Sequence, residues 1–134
     1  MGRRNGRRRR PPGRPLSDIA LDELERRLGE AGLVVLDVRT AAEYAGEAGY
    51  PCDARQGHLP GARHVDVQAL AMAADEEEIR SLVGAPEGAE VVTYCHSGAR
   101  SAMAAQLLVA AGYEARNYVG SWHEWAASAG LPIE

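Results

Sequence analysis

Hydrophobic and polar positions change their spacing several times along this chain, and each change marks an element. Leu21, Leu24 and Leu28 recur at helical intervals with Asp22, Glu23, Glu25, Arg26 and Arg27 between them, which predicts a surface helix closed by Gly29. Residues 33–38, Leu-Val-Val-Leu-Asp-Val, form an almost unbroken apolar run of strand length, as expected where both faces of a sheet are covered. Thr40 and Glu43 then have capping-box spacing for a short helix. Gly46, Gly49, Pro51, Gly57, Pro60 and Gly61 mark a loop over 46–61, and 62–65 reads as a short strand. Asp75 and Glu78 have the same capping spacing for a helix reaching about Val83. Turn signals follow at Gly84, Pro86 and Gly88. Residues 91–94 are β-branched or aromatic, whereas helix formers dominate from Ser101 onward. Met103, Leu107, Leu108 and Ala111 give that helix its expected buried face, and Gly112 ends it. A strand over 114–119 and a last helix, capped by Ser121 and Glu124 and ending near Gly130, complete the pattern.

This alternation predicts a doubly wound α/β domain with a mostly parallel sheet and helices on both faces, whose sites open at the carboxyl ends of the strands. No internal repeat is visible. The 134 residues suffice for one domain with a substantial core and are too few for two of ordinary size. That domain is assigned to 16–134. Residues 1–15 combine seven arginines with Gly and Pro and almost no apolar side chains, so they are expected to form a disordered tail. The net charge of −4 therefore hides a tail of +7 and a remainder of −11. The arginine run is read as a solubilising extension or a misassigned start rather than a nucleic-acid or membrane arm. No apolar segment follows it, which argues against an export signal, and no run approaches the ~20 residues that span a bilayer. Two cysteines, Cys52 and Cys95, make no disulfide framework, and a reducing cytoplasm fits best.

Residues 95–101, Cys-His-Ser-Gly-Ala-Arg-Ser, join the strand to the helix. A loop that curls into a helix N-terminus aims several backbone N–H groups, and the positive end of the helix dipole, at one point. A thiol held there ionises below its free value of about 8.5, and the resulting thiolate is the nucleophile that sulfur chemistry requires. Gly98 permits the tight curvature. Cys95 is accordingly the candidate catalytic nucleophile.

Cys95-His96-Ser97-Gly98-Ala99-Arg100 after a strand resembles the active-site loop of the rhodanese family of sulfurtransferases. Further matching pieces are Asp37-Val38-Arg39, Glu43-Tyr44, Gly57-His58-Leu59-Pro60-Gly61-Ala62 and Gly120-Ser121-Trp122-His123-Glu124-Trp125, spread from about Ile19 to the C-terminus. Cysteine phosphatases, the nearest rival, place five residues between cysteine and arginine. Here His96, Ser97, Gly98 and Ala99 make four, and a smaller loop suits sulfur better than phosphate.

The resemblance implies a sheet of five strands and a sulfur-transfer cycle through a Cys95 persulfide, from thiosulfate or a similar donor to a thiol or cyanide. The alternative is a sulfur-relay or regulatory module acting on a protein partner. Expected substrate contacts are His96, Ser97, Gly98, Ala99, Arg100 and Ser101, joined by Arg39 and Trp122. Arg100 is expected to point into the mouth, with outward pairing to a carboxylate as the other possibility. Asp37 and Arg39 either pair with each other or bind substrate, while His58 matches a position of structural role. Trp122 is divided between active-site wall and packing, and Trp125 is assigned to packing. Members preferring thiosulfate often carry basic residues after the cysteine, and those using mercaptopyruvate carry Gly-Ser or Gly-Thr. His96-Ser97 matches neither, so both donors stay open. Cys52 is expected to be a bystander thiol, with a resolving role as the alternative. His64, His123 and the two cysteines lack metal-ligand spacing, and no metal or organic cofactor is implied.

Overall fold

Two strands whose side chains enter opposite faces in turn, and are buried on both, set the architecture. In β1 (Leu33–Asp37) and β3 (Glu90–Tyr94) every residue after the first is buried. Val34, Leu36 and Val91 enter one hydrophobic cluster, and Val35, Val92 and Tyr94 enter the other. Both faces of the sheet are therefore covered, which is why the strand sequences show no polar alternation. The computed structural model describes residues 11–134. Its other strands are β2 (Arg63–His64) and β4 (Glu114–Asn117), and its helices are α1 (Leu21–Arg27), α2 (Ala41–Tyr44), α3 (Val67–Ala71), α4 (Glu76–Val83), α5 (Ala99–Ala110) and α6 (Ser121–Ala127). All strand pairs are parallel, in the order β2-β1-β3-β4, with Leu36 opposite Thr93 and Thr93 opposite Asn117.

Helices α3, α4 and α5 cover the first face through Val67, Leu70, Ile79, Val83, Ala104 and Leu108. Helices α1 and α6 cover the second through Leu24, Trp122, Trp125 and Ala126. Fully burying each large apolar side chain contributes about 1.5–3 kcal/mol, so both layers are needed to offset chain entropy. Arg55 ties the second layer to the loop over 46–61: its guanidinium donates to the carbonyls of Trp125, Ala126, Ser128 and Leu131, at and just beyond the end of α6.

Four strands form where five were expected. The segment before α1 occupies the outer position beside β4 but makes only two isolated parallel bridges, Pro15 to Ala115 and Ile19 to Tyr118. Between the two bridges the outer segment advances four residues while its neighbour advances three, so the register slips and no continuous ladder forms. Gly13 N–H donates to Val109 O at 2.7 Å and Ala115 N–H to Arg14 O at 3.3 Å, so residues 11–15 run along the domain edge. Residues 1–10, which carry six of the tail's arginines, lie outside the described residues.

Two further differences concern helices. α3 went unrecognised within 66–74, although Asp66 accepts from Gln68 N–H and buries Val67 and Leu70 at helical spacing behind it. Met103, expected in the core, is 50% exposed, and the buried stripe of α5 is Ser101, Ala104, Leu108 and the adjacent Ala111. Among the described residues no helix is long and apolar enough to cross a membrane.

Candidate active site

β3 ends at Tyr94, and the chain turns through 95–98 into α5. Gly98 adopts φ 102°, and a Cβ there would stand 2.9 Å from Val119 O, so the turn requires glycine on both conformational and steric grounds. Thr93 Oγ1 donates to Ser101 O at 2.8 Å and Asn117 Nδ2 to Gly98 O at 3.1 Å, which ties the first turn of α5 back to β3 and β4. Cys95 Sγ receives Gly98 N–H at 3.1 Å and lies 3.3 Å from the Ser101 hydroxyl. Cys95 is only 1% exposed. Burial opposes ionisation, but the Ser101 hydroxyl and the N–H groups of Ser101, Gly98 and Ser97 outweigh it and hold the thiol below its ordinary value. Anion-cradling donors of this kind suit a thiolate, and equally a terminal sulfur bonded to it.

The second layer of the loop comes from α6. Trp122 N–H donates to Cys95 O at 2.9 Å and His123 N–H to His96 O at 3.1 Å, so free donors at the start of α6 are satisfied by carbonyls of the cysteine loop. That replaces the expected side-chain cap: Ser121 does not cap α6, and Glu124 instead accepts from the Tyr118 hydroxyl at 2.8 Å. Ser121 adopts φ 57°, and its hydroxyl donates to Tyr118 O while accepting from Cys95 N–H at 3.1 Å. This role of Ser121 was missed. Its signal was present, since Ser121 precedes Trp122 in a recognised motif, but helix capping explained it locally.

Arg39 and Trp122, expected to touch substrate, are both sealed inside. Arg39 is 1% exposed; it pairs with Asp37 through Nε and NH2, donates to Gly57 O, and lies 5.0 Å from the Trp122 ring centroid. Tyr94 O–H completes the cluster by donating to Asp37 at 2.7 Å and accepting from Leu59 N–H at 3.0 Å. The mutual-pairing option for Asp37 and Arg39 is the one realised. Trp122 is fully buried and donates Nε1–H to Arg55 O at 3.0 Å, so it is packing behind the loop. His58 stacks on Tyr44 with ring centroids 3.8 Å apart, and its Nδ1 lies 2.8 Å from Tyr44 O.

Arg100 takes the outward option. Its guanidinium grips both oxygens of Glu43, at 2.9 and 3.2 Å, rather than standing free in the mouth. Burial pushes the Glu43 carboxyl up, but Arg100 and the Thr40 N–H outweigh it and bring it down to about 2. Glu43 also closes the predicted capping box with Thr40, so α2 is locked to the start of α5 through one carboxylate.

His96 is held at its ring by residues of the loop over 46–61. Its Nε2 lies 3.0 Å from Asp53 Oδ1, and its ring stacks on Tyr50 at 3.8 Å. His123 Nδ1 approaches the same Asp53 oxygen at 2.9 Å, and the Cys52 sulfur faces that nitrogen at 3.9 Å. Sequence spacing shows no metal-ligand pattern, yet folding gathers Cys52, Asp53, His96 and His123 beside the cysteine loop. Asp53 was not singled out in the sequence because its partners are supplied by distant segments.

Comparison with known proteins agrees with this geometry. Residues 20–128 match the family model of the Rhodanese-like domain. A thiosulfate sulfurtransferase of Pseudomonas aeruginosa is 34% identical over 92% of this chain and 51% of its own length. A sulfur carrier protein, TtuD, of Thermus thermophilus is 34% identical over 92% of the chain and 52% of its own. Among solved structures, the crystal structure of a probable thiosulfate sulfurtransferase superposes with a TM-score of 0.74 at 38% identity, covering 87% of this chain and 47% of that one. The chain thus spans about half the length of these relatives.

Proposed function

The chain belongs to the rhodanese-like domain family, and from that premise we propose that it is a sulfurtransferase working through a Cys95 persulfide. The Cys95 thiolate attacks the outer sulfur of thiosulfate or a similar sulfane donor. The donor's S–S bond breaks and sulfite leaves with the electron pair. A thiolate or cyanide then attacks the terminal sulfur of the persulfide, forms the new S–S or S–C bond, and returns Cys95 as thiolate. Atoms and charge balance without an external oxidant, metal or organic cofactor.

The observation that carries this reading is the cradle around Cys95 Sγ, formed by Gly98 N–H and the Ser101 hydroxyl at the head of α5. The loop backbone at Ser97, Gly98 and Ala99 would hold the transferred sulfur, with His96 and Ser101 flanking it. Arg100 acts in this scheme mainly by fixing the loop, because Glu43 already takes its charge. A chemistry that cycles a thiolate also suits a reducing, cytoplasmic setting.

A second reading, in which the acceptor is a protein thiol, is favoured by the likeness to the sulfur carrier protein. Intact mass after incubation with thiosulfate tests the common step. The parent and Cys52→Ser should gain one sulfur that reductant removes, and Cys95→Ser should gain none. Equal loading of Cys95→Ser would overturn the assignment. Release of the loaded sulfur to cyanide or a small thiol supports the enzymatic reading, whereas a persulfide stable to both favours the protein acceptor.

A further inference from the structure

The side chains of Cys52, Asp53, His96 and His123 come from three segments: the loop between α2 and β2, the cysteine loop, and α6. One ligand atom from each lies within 4.8 Å of all the others. Around a tetrahedral zinc ion, ligands at roughly 2.0–2.3 Å stand about 3.3–3.8 Å from one another. Asp53 Oδ1 lies 2.9 Å from His123 Nδ1 and 3.0 Å from His96 Nε2, and the Cys52 sulfur lies 3.9 Å from His123 Nδ1. These separations bracket the tetrahedral edge, so small side-chain rotations would admit an ion.

A second observation points the same way. The Asp53 side chain is 1% exposed, and its Oδ2 is buried without a hydrogen-bond partner among the described residues. A buried carboxylate oxygen left unpaired is costly, and a cation is the partner that removes the cost for both oxygens at once. The two imidazoles converge on Oδ1 alone, which leaves Oδ2 to be explained.

We propose that Cys52, Asp53, His96 and His123 form a binding site for a borderline-soft divalent transition ion of the zinc class. One thiolate, two imidazoles and one carboxylate suit such an ion, whereas Mg²⁺ and Ca²⁺ call for oxygen ligands. On binding, the Cys52 thiol releases its proton, and each imidazole presents its ligating nitrogen unprotonated, with the proton on the other ring nitrogen. The bound ion clamps the 52–53 loop and α6 onto His96, the residue next to the nucleophile. It also places positive charge beside the mouth through which an anionic donor would arrive. The site stands on geometry alone and does not depend on the sulfur-transfer reading.

The protein, reduced and freed of metal by a chelator, is titrated with Co²⁺ and then with Zn²⁺ in competition with a chromophoric chelator. One equivalent of Co²⁺ should give tetrahedral visible bands and a thiolate-to-cobalt charge-transfer band. Cys52→Ala should abolish the charge-transfer band, and Cys52→Ala and His123→Ala should each weaken Zn²⁺ binding at least about 100-fold. Cys95→Ala should leave both spectrum and affinity in place, with circular dichroism confirming that each variant is folded. Absence of a stoichiometric complex would overturn the proposal. So would a cobalt–thiolate band that survives in Cys52→Ala and disappears in Cys95→Ala, because the metal would then sit on the catalytic thiolate.

Discussion

Glu43→Gln isolates the charge that couples α2 to the cysteine loop. The variant keeps a side-chain oxygen for the Thr40 N–H, which now donates to Glu43 Oε1 at 3.1 Å, and loses the negative charge facing Arg100 together with the second acceptor, Oε2. The parent carboxyl lies at about 2 instead of 4.5. At about 1.4 kcal/mol per tenfold, that gap corresponds to about 3 kcal/mol. Arg100 keeps 31% of its side chain in solvent, however, so screening reduces the expected contribution to about 1–2 kcal/mol. A carboxyl depressed in the folded state stabilises fully above its unfolded value, here near 4.5, and loses that contribution as pH falls towards its folded value of about 2. Urea denaturation of parent and variant, from neutral pH down to about pH 3, reads the effect directly. At neutral pH the variant should be less stable by about 1–2 kcal/mol, and the gap should narrow as pH falls below about 4.5, to roughly half by pH 3. Equal stability at neutral pH would refute the reasoning. A gap that acid leaves unchanged would show that the loss came from packing or capping rather than charge.

Ser101→Ala removes the hydroxyl 3.3 Å from Cys95 Sγ, and a hydrogen bond to a charged group contributes about 1.5–3 kcal/mol. The thiol should therefore titrate higher and alkylate with iodoacetamide about tenfold more slowly at neutral pH; a rate–pH profile superimposable on the parent's would remove Ser101 from the cradle. Asp37→Ala leaves the Arg39 guanidinium buried with its counter-ion gone, which should cost about 3–5 kcal/mol in chemical denaturation. A loss below about 1 kcal/mol would mean that Gly57 O and the flanking rings suffice to hold the charge.

Much of the site was legible because the decisive elements are local. Cys95 sits between a strand pattern and a helix pattern, and that position alone places it at a helix N-terminus with backbone donors around it. Arg100 shows the limit of such reading. Its place in the loop was evident, but the direction of its guanidinium depended on Glu43, which arrives from α2 at the far end of an independent sequence motif. Arg39 shows the same limit: the sequence left it between pairing with Asp37 and contacting substrate, and only its burial against Asp37 and Trp122 shows the pairing. The missing strand likewise needed the packed structure, since the slip in register between the segment before α1 and the residues it faces is set where the two meet.

From the sequence alone followed the α/β class, the parallel sheet, the capping box of α2 and the place of Cys95 between a strand and a helix N-terminus, all of which rest on local patterns and their order along the chain. Only the tertiary structure decided which N–H groups hold the cysteine loop, because the donors at the start of α6 find their acceptors at Cys95 O and His96 O across the fold. Only it brought Cys52 and Asp53 to His96 and His123, residues whose separation along the chain conceals their contact. The division has a physical cause. Backbone propensity and periodicity are encoded within a single turn or strand, whereas the partner of a side-chain charge, hydroxyl or imidazole is chosen by how the packed layers juxtapose segments that the sequence keeps apart.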